Sequence, residues 1–213
     1  MKFKISFILI SFFMLNILSA QMFKEIYENP NFDDLTQSHK KIAILPFTVV
    51  IADKALPEGM SIDELNMQQE DEGKSFQTSV FSRFLKKSKN YRVSFQDIDR
   101  TNTLLKKNEI EHSALDEYTK DEIAKILGVD AVISGQVHRD KPMKAGAAVA
   151  LAIFTGFGGA TNKAKLYLTI HNGIDGDLLW KYNHRASGGI GSDIEGVVTR
   201  LMKQVARKFP YKK

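Results

Sequence analysis

The chemically versatile side chains of this chain are five histidines, His39, His112, His138, His171 and His184, in a sequence with no cysteine. A zinc site gathers three or four imidazole, thiolate or carboxylate donors around one ion, and pairs borne on a helix show a spacing of three or four residues. No two of these histidines are so spaced, so a metal centre would have to assemble from distant parts of the chain, and none is expected. The missing thiols also exclude disulfides and cysteine nucleophiles. Serines are plentiful, but none stands in the Gly-x-Ser-x-Gly elbow that presents an activated hydroxyl. Two glycine clusters, Gly156, Gly158, Gly159 and Gly188, Gly189, Gly191, suggest anion-binding loops, yet neither completes a dinucleotide or P-loop fingerprint. The second reads as a flexible turn ahead of a helix capped by Ser192. No catalytic residue and no cofactor is assigned.

The N-terminus carries an address. Lys2 and Lys4 precede an apolar run from Ile5 to Leu18 that ends in Ser19-Ala20, the pattern of a secretory signal peptide over residues 1–20. Cleavage is expected between Ala20 and Gln21. Leu18-Ser19-Ala20 would suit lipid attachment if a cysteine followed, but Gln21 has no thiol to acylate, so the mature protein is expected to be unanchored, in the periplasm or secreted. An uncleaved N-terminal anchor is the alternative. The whole chain of 213 residues has a formal charge of +5; without the leader and its two lysines, 193 residues remain at +3. That is enough for one domain and too weakly basic to suggest a nucleic-acid partner.

Residues 145–160 run for sixteen positions without a charge. Ala148, Ala152, Gly156 and Ala160 recur every fourth place, so a helix here would have a smooth face that permits close approach of another backbone. Such a helix would rise about 24 Å, short of a hydrocarbon core of about 30 Å. Self-association and peripheral membrane contact are the functional readings, and a Gly/Ala-rich connection tucked against the domain is the plain one.

The elements that would position these residues follow from period and caps. Residues 21–39 lack a sustained period and read as a flexible lead-in, with the domain proper over 40–210. Ile42 to Ile51 are apolar on both parities, as in a strand covered on both faces, with Pro46 marking an edge, a bulge or an end. Residues 52–68 read as a polar insertion. A helix is expected over 69–87 on the stripe Phe76, Val80, Phe81, Phe84 and Leu85, with Glu70-Asp71-Glu72 at its positive end. Tyr91, Val93 and Phe95 alternate as a strand, and Asp97 or Asp99 caps a short helix through Lys107. Thr119 and Glu122 form a capping box ahead of Ile123, Ile126 and Leu127, with Gly128 as the left-handed stop. A strand follows from Val129 toward His138. Leu166, Leu168, Ile170 and Leu178, Trp180, Tyr182 then alternate on either side of Asn172-Gly173 and Asp175-Gly176, a β-hairpin. His171, opposite in parity to Ile170, is expected to be exposed. A last helix runs from Ser192 to Pro210 on Ile194, Val197, Val198, Leu201, Val205 and Phe209. The order predicts a single α/β domain with a mixed sheet and helices packed on it.

The strand Lys41-Ile42-Ala43-Ile44-Leu45-Pro46-Phe47 and the unit Ile123-Ala124-Lys125-Ile126-Leu127-Gly128-Val129-Asp130-Ala131-Val132-Ile133-Ser134-Gly135 resemble the bacterial CsgG family of curli-secretion lipoproteins. The periplasmic domain of that family is similar to the N-terminal domain of TolB. The resemblance covers about 40–135 and marks no catalytic residue. It implies a non-enzymatic envelope protein of a bacterium, supporting assembly or secretion through contacts with envelope proteins, with a homo-oligomer open. Residues 52–68 and 145–160 are the expected contact segments. Two departures stand out: Gln21 replaces the lipid-bearing cysteine, and 145–160 is apolar on both sides where a pore hairpin would alternate. A secreted hydrolase with a polar site built from distant residues, and a pore subunit, are the alternatives.

Overall fold

The computed structural model describes residues 24–51, 59–139, 163–187, 204–205 and 207–213. Among the described residues, seven strands form one mixed sheet: β1 (Lys24–Glu28), β2 (Lys41–Ile44), β3 (Thr48–Ile51), β4 (Ser94–Phe95), β5 (Ala131–Arg139), β6 (Lys163–Asn172) and β7 (Leu178–Ser187). Their order is β1-β7-β6-β5-β2-β4, and β3 runs on beside β5 past the end of β2. β2 is parallel to both β4 and β5, whereas the pairs β5–β6, β6–β7 and β1–β7 are antiparallel. Four α-helices lie wholly within the described residues, α1 (Phe32–Thr36), α2 (Ile62–Leu85), α3 (Ile98–Lys107) and α4 (Lys120–Leu127), and residues 204–205 and 207–208 are helical as well. This is an α/β domain with helices packed on a mixed sheet.

The doubly apolar run around Pro46 behaves as its composition demands. Ile42 and Ile44 enter one core with Phe76, Val80 and Phe84 of α2, while Ala43 and Leu45 enter a second with Leu105 of α3 and Ile123, Ala124 and Leu127 of α4. Successive strand residues point to opposite faces, so this part of the sheet is the middle of three layers. Pro46 has no amide to give the ladder. Leu45 still donates to Ile133 O at 2.9 Å, but Phe47 turns its N–H away to Gly73 O in α2, at 3.1 Å. The strand therefore breaks between β2 and β3.

Capping sets the helix limits. Asp97 accepts from the amides of Asp99 and Arg100 at the start of α3. The Glu122 carboxylate takes the Thr119 amide at 2.9 Å, and Gly128 ends α4 at φ +65°, a conformation open to glycine. Val205 and Phe209 are buried on the core that holds Trp180 and Tyr182, in agreement with the stripe read for the last helix; the start of that helix lies outside the described residues.

Four expectations are corrected. Residues 24–36 of the lead-in form β1 and α1, and Phe32, Thr36 and His39 are buried. Glu25 to Glu28 are exposed throughout, and an edge strand wet on both faces shows no hydrophobic alternation. The polar insertion ends early: Ser61 accepts the Glu64 amide at 3.2 Å while Glu64 takes the Ser61 amide at 2.8 Å, so α2 starts at Ile62. Its first turns escape a hydrophobic reading because Ile62 and Met67 face solvent. Glu70, Asp71 and Glu72 consequently lie mid-helix, with Glu72 buried, not at the positive end. Phe76, Val80 and Phe84 are buried as expected, but Leu85 is exposed.

Candidate functional site

Beyond the three-layer region, the described residues leave the sheet with one covered and one open face. On β6, Leu166, Leu168 and Ile170 point into the core beneath α2, and the intervening Lys165, Tyr167, Thr169 and His171 point the other way. Opposite them on β5 stand Ser134, paired with Thr169, and Gln136, paired with Tyr167. These polar side chains floor a groove of about 410 Å³, walled by Leu115, Asp116 and Lys120 at the entrance to α4 and by Leu45, Pro46 and Thr48 at the break between β2 and β3. Alternating polar residues on two adjacent strands are the sequence signal for this surface.

His171 is not exposed as its parity suggested. α4 packs over its end of the sheet, and its Nδ1 is buried without a hydrogen-bond partner. Burial, then the nearby Lys120 ammonium, holds the imidazole below its ordinary pKa and therefore neutral near pH 7. Lys120 is itself pulled down by burial, with Asp116 opposing, and its Nζ donates to Leu115 O at 3.1 Å. His138 is lowered by burial and by Lys165, and its ring meets Tyr167 edge-on at 5.1 Å. The Ser134 hydroxyl is buried with no hydrogen-bond partner. A serine becomes a nucleophile through a base within hydrogen-bonding reach, and among the described residues Ser134 has none. Among the described residues, no group of three or more His, Asp or Glu side chains is arranged to hold a metal ion, and no helix is long and apolar enough to cross a membrane.

A second feature lies at one end of the sheet. Arg139, which ends β5, pairs with Ala164 near the start of β6 and with Ile51 at the end of β3. Lys163 pairs with Ser187, the last residue of β7, and Lys24, the first of β1, pairs with His184. Five strand ends thus meet at one rim, and from them the chain departs into residues 1–23, 52–58, 140–162 and 188–203. Ala20, Gln21, Ala148, Ala152, Gly156 and Ala160 lie outside the described residues, within segments leaving that rim.

No family model matches the sequence, so membership of the CsgG family is not shown, and no curated protein matches it. Solved structures do. The chain is similar to the PelC dodecamer from Paraburkholderia phytofirmans, at 12% identity and a TM-score of 0.45, over 89% of this chain and 98% of that one. It is similar to lipoprotein GNA1162 from Neisseria meningitidis, at 13% identity and a TM-score of 0.44, over 79% and 94% of the two chains. It is also similar to the LpoB C-terminal domain from Salmonella enterica, at 8% identity and a TM-score of 0.35, over 74% and 93%.

Proposed function

We propose that this is a non-enzymatic interaction protein of the bacterial cell envelope, of the CsgG and TolB N-terminal type, which supports assembly or secretion through protein contacts made at the rim where the strand ends meet. The observation that carries the reading is the connection between β5 and β6. Adjacent antiparallel strands need only a two-residue turn. Here Arg139 and Ala164 are paired, yet the connection between β5 and β6 runs over residues 140–162, and sixteen of them form the uncharged run 145–160. Connections longer than about 12–15 residues in a compact domain are commonly functional or linker segments. The leader read over residues 1–20 supports export, and Gln21 in place of a cysteine supports a mature protein without a lipid anchor.

Deleting 145–160 tests the reading, because β5 and β6 would still be joined by seven residues of the original connection. The deletion is expected to keep a cooperative melt while losing either higher mass by light scattering or co-flotation with vesicles of envelope lipid. Unchanged mass and unchanged flotation in a folded variant would overturn it. Hydrolysis of any ester or amide substrate that is lost in Ser134→Ala would instead establish the hydrolase.

A further inference from the structure

Strand β1 ends the sheet, and among the described residues none pairs with its outer side. Asn29, just past the strand, donates its amide to Leu179 O at 2.8 Å. In an antiparallel ladder the N–H and C=O of one residue point the same way and reverse at the next. Asn29, Tyr27 and Glu25 therefore address β7, and Lys24, Ile26 and Glu28 direct their peptide groups outward. Glu25 through Glu28 are all exposed, with Ile26 38% and Tyr27 42% accessible on opposite faces. Among the described residues, the edge is thus open in its backbone and on both flanks.

We propose that this edge is a self-association site at which a second copy of the chain pairs antiparallel through β1, about a two-fold axis at Ile26. In that register Ile26 faces Ile26 of the second copy, and Lys24 and Glu28 of each copy face Glu28 and Lys24 of the other. All three outward-facing residues then meet outward-facing residues, and the three pairs exchange about six peptide hydrogen bonds. A slip of one residue would set inward-facing peptides against outward-facing ones; a slip of two would separate the opposite charges. The sequence Lys-Glu-Ile-Tyr-Glu is self-complementary in this one antiparallel register, and that points to a second copy as the occupant. Charges on an edge strand ordinarily repel foreign strands. Here they also select the strand's own twin, in an isologous contact of the kind that closes as a dimer. A five-residue ribbon covers far less than the roughly 800 Å² per partner of a standard interface, so the association is weak and concentration-dependent. It does not depend on residues 145–160, nor on the function proposed above.

Sedimentation velocity of the purified protein over a concentration series, up to the millimolar range, reads the dimer directly. Lys24→Glu sets glutamate against glutamate twice and is expected to raise the dimer Kd by about tenfold. Lys24→Glu combined with Glu28→Lys restores opposite charges and should return the Kd to that of the parent. Ile26→Pro removes an outward N–H while sparing the bonds to β7, and should abolish the dimer. A circular-dichroism melt confirms that each variant is folded. If Ile26→Pro unfolds β1, the two charge variants decide the matter. A parent protein that stays monomeric, a Kd indifferent to Lys24→Glu, or a double variant that fails to recover would overturn the proposal.

Discussion

His39 Nδ1 lies 2.8 Å from the hydroxyl of Tyr211, which ties the final residues of the chain to the loop ahead of β2. Around this contact the Arg92 guanidinium sits over the Tyr211 ring at 5.1 Å and over Phe32 at 5.8 Å, and donates to Thr36 O at 2.6 Å. Arg92 N–H also donates to Tyr211 O, and Lys213 N–H to Asn90 O. Burial pushes the Tyr211 phenol well above its ordinary pKa, so it stays protonated at any physiological pH. Tyr211→Phe leaves the buried imidazole without that partner and should lower stability by about 1–2 kcal/mol in urea unfolding. Tyr211→Ala, which also empties an aromatic site, should cost about 3–5 kcal/mol. Equal midpoints for the parent and Tyr211→Phe would show that the contact contributes nothing.

Acid should destabilise the domain well above the carboxylate range. Burial lowers the pKa of His39, His138 and His171 from the ordinary 6.5. For a base whose folded pKa is depressed, the unfolded chain takes up protons that the folded chain refuses, so stability is lost as pH falls below the unfolded value. Glu64 and Glu70 are depressed from 4.5, chiefly by the Ser61 backbone amide and by Lys74 respectively, and their contributions fade only below that pH. Urea midpoints should therefore drop between pH 7.5 and 5.5, and His171→Gln should flatten the decline. A midpoint constant over that range would contradict the assignment.

Gly73→Ala should destabilise the protein although the position is inside a helix. In an exposed helix interior alanine gains about 1 kcal/mol over glycine. At Gly73 a Cβ would fall 2.1 Å from Phe47 O and 2.6 Å from His112 Nε2, two atoms that lie 2.7 Å apart in a hydrogen bond. Separating them should cost about 1–3 kcal/mol. The sign of the change in thermal midpoint is the measurement.

Gly135 on β5 has no room for a side chain either. An added Cβ would meet the Phe47 ring at 2.1 Å, and that ring is fully buried and stacked on Phe76 with centroids 5.8 Å apart. Gly135→Ala should cost about 1–3 kcal/mol, and Phe47→Leu should cost less in that background than in the parent. A double-mutant cycle with zero coupling would mean the ring moves aside freely.

Signals within a few residues of each other were legible in the sequence: a cap at Asp97 or Asp99, which the fold places at Asp97, Thr119 with Glu122, Gly128 as a left-handed stop, Pro46 as an edge, bulge or end, which the fold makes the end of β2's ladder, and the hairpin around Asn172 to Gly176. Each depends on the backbone within about one turn, so composition and spacing determine it. The doubly apolar run from Ile42 to Ile51 announced a strand covered on both faces; the two cores meet it at Ile42 to Leu45, and the run divides into β2 and β3. The groove was half legible: Tyr167, Thr169 and His171 alternate visibly against the apolar residues of β6, but the apolar half of such a pattern states only which residues leave water.

Tertiary structure alone decided the rest. Whether His171 meets solvent depends on α4 covering its face, and no period within β6 carries that fact. Lys24 to Glu28 become a strand because β7, more than 150 residues later, offers a free edge. The groove exists because β5 and β6 pair Ser134 with Thr169, and the rim because five strand ends fall in register. Pairing partners and burial are set by contacts between segments remote in the chain, where no local propensity reaches.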